Sequence, residues 1–593
     1  MVRLPTSVAD SALARLFTDG AHASDISWFS LPGGAALCEA GEPADQLYFV
    51  RAGRLAAFRH EEGHEAHFLG VIRPGEPAGE MAMIAGSDHS ATVVALRDSE
   101  ILCMPRKVFF EAAERDPAVM IELARLMILR ARQTASRASI GEPSVFGFVG
   151  VSGKVRVREL VEQIAADMTE MGYGVATAGE EAQHAPTEWF SNVEGHHDFV
   201  LYAAESDQIA WKQIVGRQVD RLFRVAAGDE PPPPILDVFV SPGLDRQQLL
   251  DLILIQPAGR VRPSGSEDWI DAVRSARLFH VRMGEPDHLR RIARVLTSRS
   301  VGLVLSGGGA RAYAHIGAIR ELRKAGVPVD FVGGVSMGAV IAAALAMEWD
   351  GDEIDWRIRK AFVESNPVSD IAIPLLAMTL GEQVRLRLLE HFGEQLISDL
   401  WLPFFCVSSN LTSGSYQLHR RGLLRQALRA SIAIPGLLPP VTQDNNVLVD
   451  GAVMKNFPTD IMRGMHLGPI VGVDVTRGRN ITADQAARPS SVWRWIFSGQ
   501  WRKGPPIVSL LLRAATISTG REIIASREAT DLLILPKMDD VEIRDWEAYD
   551  PAVEAGAEAM RLALSKITRP VTDLRHRASR DELEALESLS AGR

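Results

Sequence analysis

One serine in this sequence has the surroundings of a catalytic nucleophile. Ser336 is the central residue of Gly-Val-Ser-Met-Gly, between Gly334 and Gly338, and it follows the apolar run 327–332 and precedes an alanine-rich, helix-like run. In a G-x-S-x-G elbow the two glycines let a strand turn tightly into a helix, because larger side chains would crowd both elements. The N–H groups of that helix point at the serine, where negative charge develops during acyl transfer. The pattern predicts a serine hydrolase, with a plain glycine-rich turn as the alternative.

A glycine-rich loop upstream could stabilise the negative charge that forms on the substrate. Residues 301–305 have the pattern of a buried strand, and they are followed by Ser-Gly-Gly-Gly-Ala-Arg at 306–311 and then by a helical pattern. The N–H groups of Gly307, Gly308 and Gly309 are expected to form a concave nest that suits a tetrahedral oxyanion or a phosphate. Arg311 adds a fixed positive charge. A purely structural strand-to-helix turn is the alternative interpretation.

The spacing alone does not decide which group activates Ser336. A histidine-dependent triad needs a histidine after the serine, and four are present there, none at an evident strand end: His391, His419, His466 and His576. Asp450 directly follows the short apolar strand 447–449. It is therefore expected at the carboxyl edge of a sheet, where open α/β sheets place their chemistry. An ordinary Asp-Gly turn is the other interpretation of this residue.

These motifs together resemble the patatin-like phospholipases, in the bacterial branch related to neuropathy target esterase. The resemblance continues through three further segments: 399–411, 430–436 and 450–458. It implies a Ser-Asp dyad without histidine, in which Ser336 attacks an ester carbonyl and Asp450 takes and returns the proton. It also implies that the three glycines form the oxyanion hole, and we expect Arg311 beside them to help hold the oxyanion. The chain departs from the family at Ala312, where many members have glycine, and we expect this methyl group to tighten the start of the helix without abolishing the hole.

The dyad places a requirement on its surroundings. A carboxylate with an ordinary pKa near ~4 is a weak base for an alcohol, so a dry, partly apolar site is needed to raise that pKa. The apolar runs 371–378 and 434–441 could line a channel for an acyl chain, or could be ordinary core. We expect a lysophospholipid or phospholipid carboxylic ester as the substrate, an acyl-enzyme intermediate, and no metal or cofactor. Two alternatives stay open: a non-catalytic ligand sensor that uses the patatin-like part as a scaffold, and a histidine-dependent esterase that uses His466.

Composition limits the other function classes. The chain has 593 residues, 46% of them hydrophobic and 23% charged, which predicts several globular domains and argues against wholesale disorder. Its net charge of −11 argues against nucleic acid as a partner. Cys38, Cys103 and Cys406 match no disulfide or metal spacing, which favours a reducing, cytoplasmic location. The first residues lack the apolar core of a signal peptide, and no run of roughly 18 apolar residues predicts a transmembrane anchor.

Residues 26–115 have the short apolar strands and regularly spaced glycines of a β-roll. Segments 48–55 and 79–82 resemble the cyclic-nucleotide-binding domain family, which implies four pocket residues: Gly79, Glu80, His89 and Ser90. The family's phosphate-binding arginine is replaced by His89 in this chain. A neutral imidazole has one donor and cannot replace a bidentate, permanently charged guanidinium. We therefore expect a degenerate regulatory or dimerising module in preference to a cyclic-nucleotide receptor.

Two other segments have open roles. The pattern of 117–139 predicts a basic amphipathic helix, and we favour a connector or homodimer role over membrane contact. Trp493, Trp495 and Trp501 lie beside basic residues, which suits either peripheral contact with a bilayer or packing over the substrate entrance.

The sequence as a whole predicts a multidomain α/β protein. The loop 150–155 lacks both the first glycine and the hydroxyl residue of a phosphate-binding P-loop, so we expect a structural Rossmann-like domain there. The expected domains are a cyclic-nucleotide-binding-like β-roll at 1–116, a connector helix at 117–140, a Rossmann-like α/β spacer at 141–297, a patatin-like acyl hydrolase domain at 298–570, and a C-terminal tail at 571–593.

Overall fold

The computed structural model describes residues 12–18, 24–59, 67–135, 144–185, 187–234, 250–365, 370, 372, 377–476, 520–538, 541–543 and 545–574. The chain divides into two compact units, one of Met1–Ala258 with Asp268–Leu296 and the other of Gly259–Glu267 with Thr297–Arg593. Trp493, Trp495 and Trp501, for which bilayer contact and packing over the substrate entrance were both expected, and the tail beyond 574 lie outside the described residues. Among the helices that are described, none is both long and apolar enough to span a bilayer.

The first unit begins with a β-roll of two antiparallel sheets. Its strands are β1 Ser27–Leu31, β2 Ala36–Cys38, β3 Gln46–Ala52, β4 Leu55–Arg59, β5 His67–Ile72, β6 Pro77–Ala78, β7 Thr92–Ala95 and β8 Ser99–Pro105. One sheet has the order β1-β8-β3-β6 and the other β2-β7-β4-β5. Leu55, Val93 and Ile101 belong to one buried cluster of the roll. A second cluster joins Leu47 and Phe49 of β3 to helices at the ends of the domain, which are Ala12–Thr18, Glu80–Ala85, Arg106–Arg115 and Pro117–Ala135.

A six-stranded parallel sheet completes the first unit. Its strands are β9 Val145–Gly150, β10 Val175–Ala178, β11 Phe199–Ala204, β12 Arg221–Ala227, β13 Leu250–Gln256 and β14 Arg277–Arg282, in the order β10-β11-β9-β12-β13-β14. Its helices are Val157–Glu170, Thr187–His196, Ile209–Gln218, Ser266–Val273 and Pro286–Leu296. β9 and β11 are buried at every residue, as expected for parallel strands covered on both faces. The predicted multidomain α/β class is confirmed.

The helix that follows β9 does not offer its N-terminus to a phosphate. The N–H groups of Val157 and Arg158 donate to the carboxylate of Glu205, at 3.1 and 2.9 Å. In nucleotide-binding α/β folds, this position at the first helix is where a phosphate binds. In this chain the carboxylate of Glu205 takes that position, and the spacer role stays a prediction.

Buried ion pairs join the β-roll to the parallel sheet within the first unit. Arg54 Nη1 lies 2.6 Å from Asp220 Oδ2, and Arg97 forms a bidentate salt bridge with Glu194. Asp220 also accepts hydrogen bonds from two backbone N–H groups at the start of β9. Because both arginines are buried, removing one partner would leave an uncompensated charge in the interior.

The second unit is built on an eight-stranded mixed sheet. Its strands are β15 Gly302–Leu305, β16 Phe331–Val335, β17 Phe404–Asn410, β18 Ser415–His419, β19 Val441–Gln443, β20 Asn446–Asp450, β21 Ile470–Val473 and β22 Leu532–Ile534. The order is β19-β20-β17-β16-β15-β21-β22, and β18 also pairs with β17. β18, β19 and β20 pair antiparallel and the remaining pairs are parallel.

Helices surround this sheet. They are Ala314–Lys324, Met337–Ala346, Gly351–Ile358, Glu382–Phe392, Leu424–Ser431, Thr459–Met465, Gly520–Glu528 and Tyr549–Lys566, with a π-helical segment at Arg359–Glu364 and short 3-10 helices at Gly309–Tyr313, Ile397–Asp399, Gly451–Val453 and Val571–Asp573. Met337–Ala346 is buried at every residue, which its uniformly apolar sequence requires. Residues Gly259–Glu267, which the sequence analysis assigned to the spacer, group with this unit, where Val261 O accepts a hydrogen bond from Trp401 Nε1.

Candidate active site

Two strands end head to head along one edge of β17. β18 occupies one edge of β17, so β16 and β20 share the other edge. On that edge the last residue of β16, Val335, is opposite Val407, and the last residue of β20, Asp450, is opposite the next residue, Ser408. β16 runs parallel to β17 and β20 antiparallel, so their carboxyl ends meet. Ser336, which follows β16 directly, is therefore brought beside Asp450.

The elbow at Ser336 depends on its two glycines. Ser336 has φ 54° and ψ −132°, a conformation that is costly for a residue with a side chain and is typical of functional sites. A Cβ atom on Gly334 would lie 2.7 Å from the backbone of Gly338, and one on Gly338 would lie 2.4 Å from Ser306 O. Both predicted elbow glycines are thus required by close backbone approach.

Ser336 and Asp450 form a direct hydrogen bond. Ser336 Oγ donates to Asp450 Oδ2 at 2.6 Å, and Asp450 Oδ1 accepts from Ala452 N at 2.8 Å. Asp450 is only 1% exposed. Burial raises the pKa of Asp450 from an ordinary 3.8 to about 6, and the hydrogen bonds from Ser336 and Ala452 oppose part of that rise. The pair is a buried hydroxyl held by a carboxylate with a raised proton affinity.

The glycine loop lies next to the serine. The N–H of Gly307 donates to Asn456 Oδ1 at 3.1 Å, whereas among the described residues those of Gly308 and Gly309 donate to no acceptor. Within the described part of the chain, the loop therefore leaves two N–H groups without an acceptor, in place of the three expected from sequence. Cβ atoms on Gly308 and Gly309 would lie 2.5 Å from Val475 Cγ2 and 2.2 Å from Ile543 O, respectively.

Arg311 lies in the 3-10 helix that follows these glycines. It is 7% exposed, and its backbone N–H donates to Gly308 O at 3.2 Å. Ala312 is fully buried in the same helix. The part played by the Arg311 guanidinium in binding an oxyanion stays a prediction.

Two residues of the site escaped the sequence analysis. Ser431 Oγ accepts a hydrogen bond from Ser336 N at 2.9 Å and donates to Val407 O at 2.7 Å, so it fixes the backbone of the elbow. Asn456 hydrogen-bonds the first glycine of the loop. Each is a small polar residue within a largely apolar segment, and such a buried group must find a partner. That signal could have marked both residues, and Asn456 also lies only six positions after Asp450.

Two of the four candidate histidines, His466 and His419, have partners away from Ser336, and His576 lies outside the described residues. His466 Nδ1 is 3.2 Å from Ser300 Oγ, and its ring stacks on Phe331 with centroids 4.8 Å apart. Phe331 begins β16 and Ser336 follows its end, so the strand separates them by roughly 16 Å at about 3.3 Å per residue. His419 is instead paired with Ser408 Oγ at 2.8 Å. The structure thus contradicts the alternative in which His466 activates the serine.

In the β-roll, His89 packs against the glycine turn of the predicted pocket. Gly79 has φ +81°, and a Cβ atom there would lie 3.1 Å from His89 Cε1. His89 is 6% exposed, and its backbone N–H donates to Glu42 O at 2.8 Å. Glu80 is also buried, whereas Ser90 is exposed. The imidazole therefore packs against the glycine turn, at the position where the resemblance implies a phosphate-binding arginine.

Comparison with known proteins agrees with this architecture. The model of the patatin-like phospholipase family matches residues 303–463, and that of the cyclic nucleotide-binding domain matches 28–116. An uncharacterized NTE family protein of Mycobacterium bovis is 31% identical over 581 residues, which are 95% of each chain. The chain belongs to the NTE family. The resemblance predicted from the motifs is confirmed, as is the predicted enzyme class, a patatin-like phospholipase.

More distant members of the NTE family carry descriptive names. Neuropathy target esterase sws of Drosophila melanogaster is 26% identical, over 84% of this chain and 40% of its own. Lysophospholipase NTE1 of Mycosarcoma maydis is also 26% identical, over 81% of this chain and 30% of its own. Together with the family match, these relatives support a lipid esterase.

Proposed function

We propose that this NTE family member hydrolyses carboxylic esters of lysophospholipids or phospholipids through a Ser336–Asp450 dyad. The observation that carries the proposal is the 2.6 Å hydrogen bond from Ser336 Oγ to Asp450 Oδ2, at the point where two strand ends meet. The names of two relatives, an esterase and a lysophospholipase, support a lysophospholipid ester as the substrate.

The first half-reaction forms an acyl-enzyme. Ser336 Oγ attacks the ester carbonyl carbon while its proton passes to Asp450 Oδ2, and the carbonyl oxygen becomes an oxyanion. The open N–H groups of Gly308 and Gly309, with the charge of Arg311, stabilise that oxyanion. The tetrahedral intermediate then collapses, the ester C–O bond breaks, and the leaving alcohol takes the proton from Asp450.

The second half-reaction restores the enzyme. Water attacks the acyl carbon and gives a proton to Asp450, and a second tetrahedral intermediate forms over the same N–H groups. Its collapse releases the fatty acid and returns the proton to Ser336 Oγ. A base whose pKa is about 6 suits this cycle, because it is ionised at neutral pH and still binds a proton more tightly than an ordinary carboxylate.

The surroundings of the dyad support an apolar substrate. Asp450 N donates to Ala433 O at 2.9 Å, so the dyad adjoins the apolar run 434–441. The two apolar runs also pair, since Met378 N donates to Gly436 O at 3.0 Å. We place the acyl chain along the described part of this paired segment, which includes Met378 and Gly436; residues 371 and 373–376 lie outside the described residues. Peripheral membrane contact and a homodimer stay predictions.

Hydrolysis by the purified full chain tests the proposal. Fatty acid release from lysophosphatidylcholine micelles is expected for wild type and for His466→Ala, and a loss of at least about 10³-fold for Ser336→Ala. A fluorophosphonate should add its mass to the peptide that contains Ser336. Activity that persists in Ser336→Ala would overturn the dyad. Labelling of Ser336 without hydrolysis of any lipid ester would overturn the substrate class, and absence of both would favour the non-catalytic sensor.

A further inference from the structure

We propose that Asn456 is a positioning residue of the oxyanion hole, which fixes the direction in which Gly308 presents its N–H. The inference rests on the proposed function, because it concerns the same hydrolytic site. It assigns a role to a side chain that touches neither the nucleophile's hydroxyl nor the base.

Asn456 bonds both backbone polar groups of one glycine. Gly307 N–H donates to Asn456 Oδ1 at 3.1 Å, and Asn456 Nδ2 donates to Gly307 O at 3.4 Å. Asn456 is 7% exposed, so water competes little for these bonds. A Cβ atom on Gly307 would lie 2.6 Å from Asn456 Oδ1 and 3.1 Å from Ser336 Cβ. Gly307 is therefore held between the amide and the nucleophile.

Because the peptide group is planar, the contact at Gly307 O also fixes the direction of the Gly308 N–H. In a trans peptide the C=O of one residue and the N–H of the next point in opposite directions. Because Gly307 O faces Asn456, the N–H of Gly308 must face away from Asn456. Three successive glycines have no side chains to restrict their backbone, and Gly309 already has a φ of +57°. A hydrogen-bond partner outside the loop therefore restricts the peptide between Gly307 and Gly308.

The loop that carries Asn456 also carries the base. Lys455 N donates to Gly451 O at 2.8 Å, and Met454 N donates to Ser409 Oγ at 3.0 Å. The segment from Asp450 to Asn456 is therefore closed by its own bonds and anchored to β17. One short loop positions the proton acceptor and, through Gly307, the groups that bind the oxyanion.

Two variants of Asn456 test this role. Asn456→Ala removes both bonds, and we expect kcat on a soluble p-nitrophenyl ester to fall about 10²- to 10³-fold with KM little changed, as when an oxyanion donor is lost. Asn456→Asp keeps the shape and the bond from Gly307 N–H but places a carboxylate oxygen against Gly307 O. Its kcat should fall by a similar factor. This variant tests the inference if the alanine variant does not fold.

Affinity for a trifluoromethyl ketone separates positioning from a purely structural role. The ketone forms a tetrahedral adduct with the serine, whose oxyanion occupies the hole, so its Ki should rise by the same factor by which kcat/KM falls. Asn410→Ala is the matched control. Asn410 is a buried amide that bonds Asn446 and the β17–β18 turn, so its loss should lower the melting temperature and leave the ratio of Ki to KM unchanged.

The outcomes are distinguishable. If both Asn456 variants have wild-type kcat and Ki while Ser336→Ala is inactive, the inference about Asn456 is overturned and the proposed function stands. A fall in kcat without a matching rise in Ki would also overturn it. Full activity in Ser336→Ala would overturn the proposed function and this inference with it.

Discussion

Replacing Asp450 with asparagine should stabilise the fold and abolish catalysis. Asparagine has the shape of aspartate and loses no hydrogen bond here. Its oxygen can accept from Ala452 N, and its NH2 group can donate to Ser336 Oγ, whose hydroxyl rotates to accept. What is removed is a carboxylate charge in a site that is 1% exposed. The same desolvation that makes the carboxylate a usable base makes it costly to the folded state.

The size of the effect follows from the raised pKa. A rise from 3.8 to about 6 corresponds to about 3 kcal/mol, at about 1.36 kcal/mol per pKa unit. Because the folded protein holds this proton more tightly than the unfolded chain, wild-type stability falls as pH rises from 3.8 through about 6. The asparagine variant does not titrate. Its advantage should therefore be absent near pH 4 and complete above about pH 7.

Calorimetry of wild type and Asp450→Asn at several pH values measures this difference, together with fatty acid release at each pH. We expect kcat to fall by about 10⁴-fold in the variant, and wild-type kcat/KM to rise up to a plateau above about pH 6. Asp474→Asn is a matched control, because Asp474 is also buried but lies 2.6 Å from Arg527. Loss of its carboxylate charge should therefore destabilise the fold. An Asp450→Asn variant that is less stable than wild type at pH 8 would refute the reasoning, as would an advantage independent of pH.

Three further predictions concern the elbow and the first unit. Gly338→Ala should prevent folding of the elbow, because its Cβ atom would lie 2.4 Å from the backbone oxygen of Ser306. Gly351→Ala is the control: its Cβ atom would have no atom within 4 Å among the described residues, so this variant should express and melt like wild type. Glu194→Gln should destabilise the first unit by up to about 3 kcal/mol, because buried Arg97 loses its bidentate carboxylate and keeps the more distant Asp220, whose Oδ1 lies 3.8 Å from Arg97 Nε; unchanged hydrogen exchange there would contradict this. Because His89 stands where the resemblance implies a phosphate-binding arginine, calorimetric titration with cyclic AMP and cyclic GMP should give no micromolar binding, and such binding would show that the pocket still recognises the nucleotide.

The features readable from sequence were those set within a few residues. The glycines around Ser336 predict an elbow, because only residues without a Cβ atom permit that turn. The apolar strand before Asp450 predicts a carboxylate at a sheet edge. The replacement of arginine by His89 was likewise visible. Three glycines in a row predicted a nest, but the sequence does not reveal that Asn456 engages one of their N–H groups.

The amino-acid sequence by itself determined the family, the strand-and-helix pattern and the two candidate groups of the dyad, because these depend on local spacing and burial pattern. Only the tertiary structure decided that Ser336 bonds Asp450, which is 114 residues away, and that Gly307 bonds Asn456, which is 149 residues away. The first contact follows from the register in which β16 and β20 share one edge of β17, and the second also requires β15, whose end carries Gly307, to pair in parallel with β16. Register is set by how whole strands bury their faces, and no local stretch of sequence contains that information.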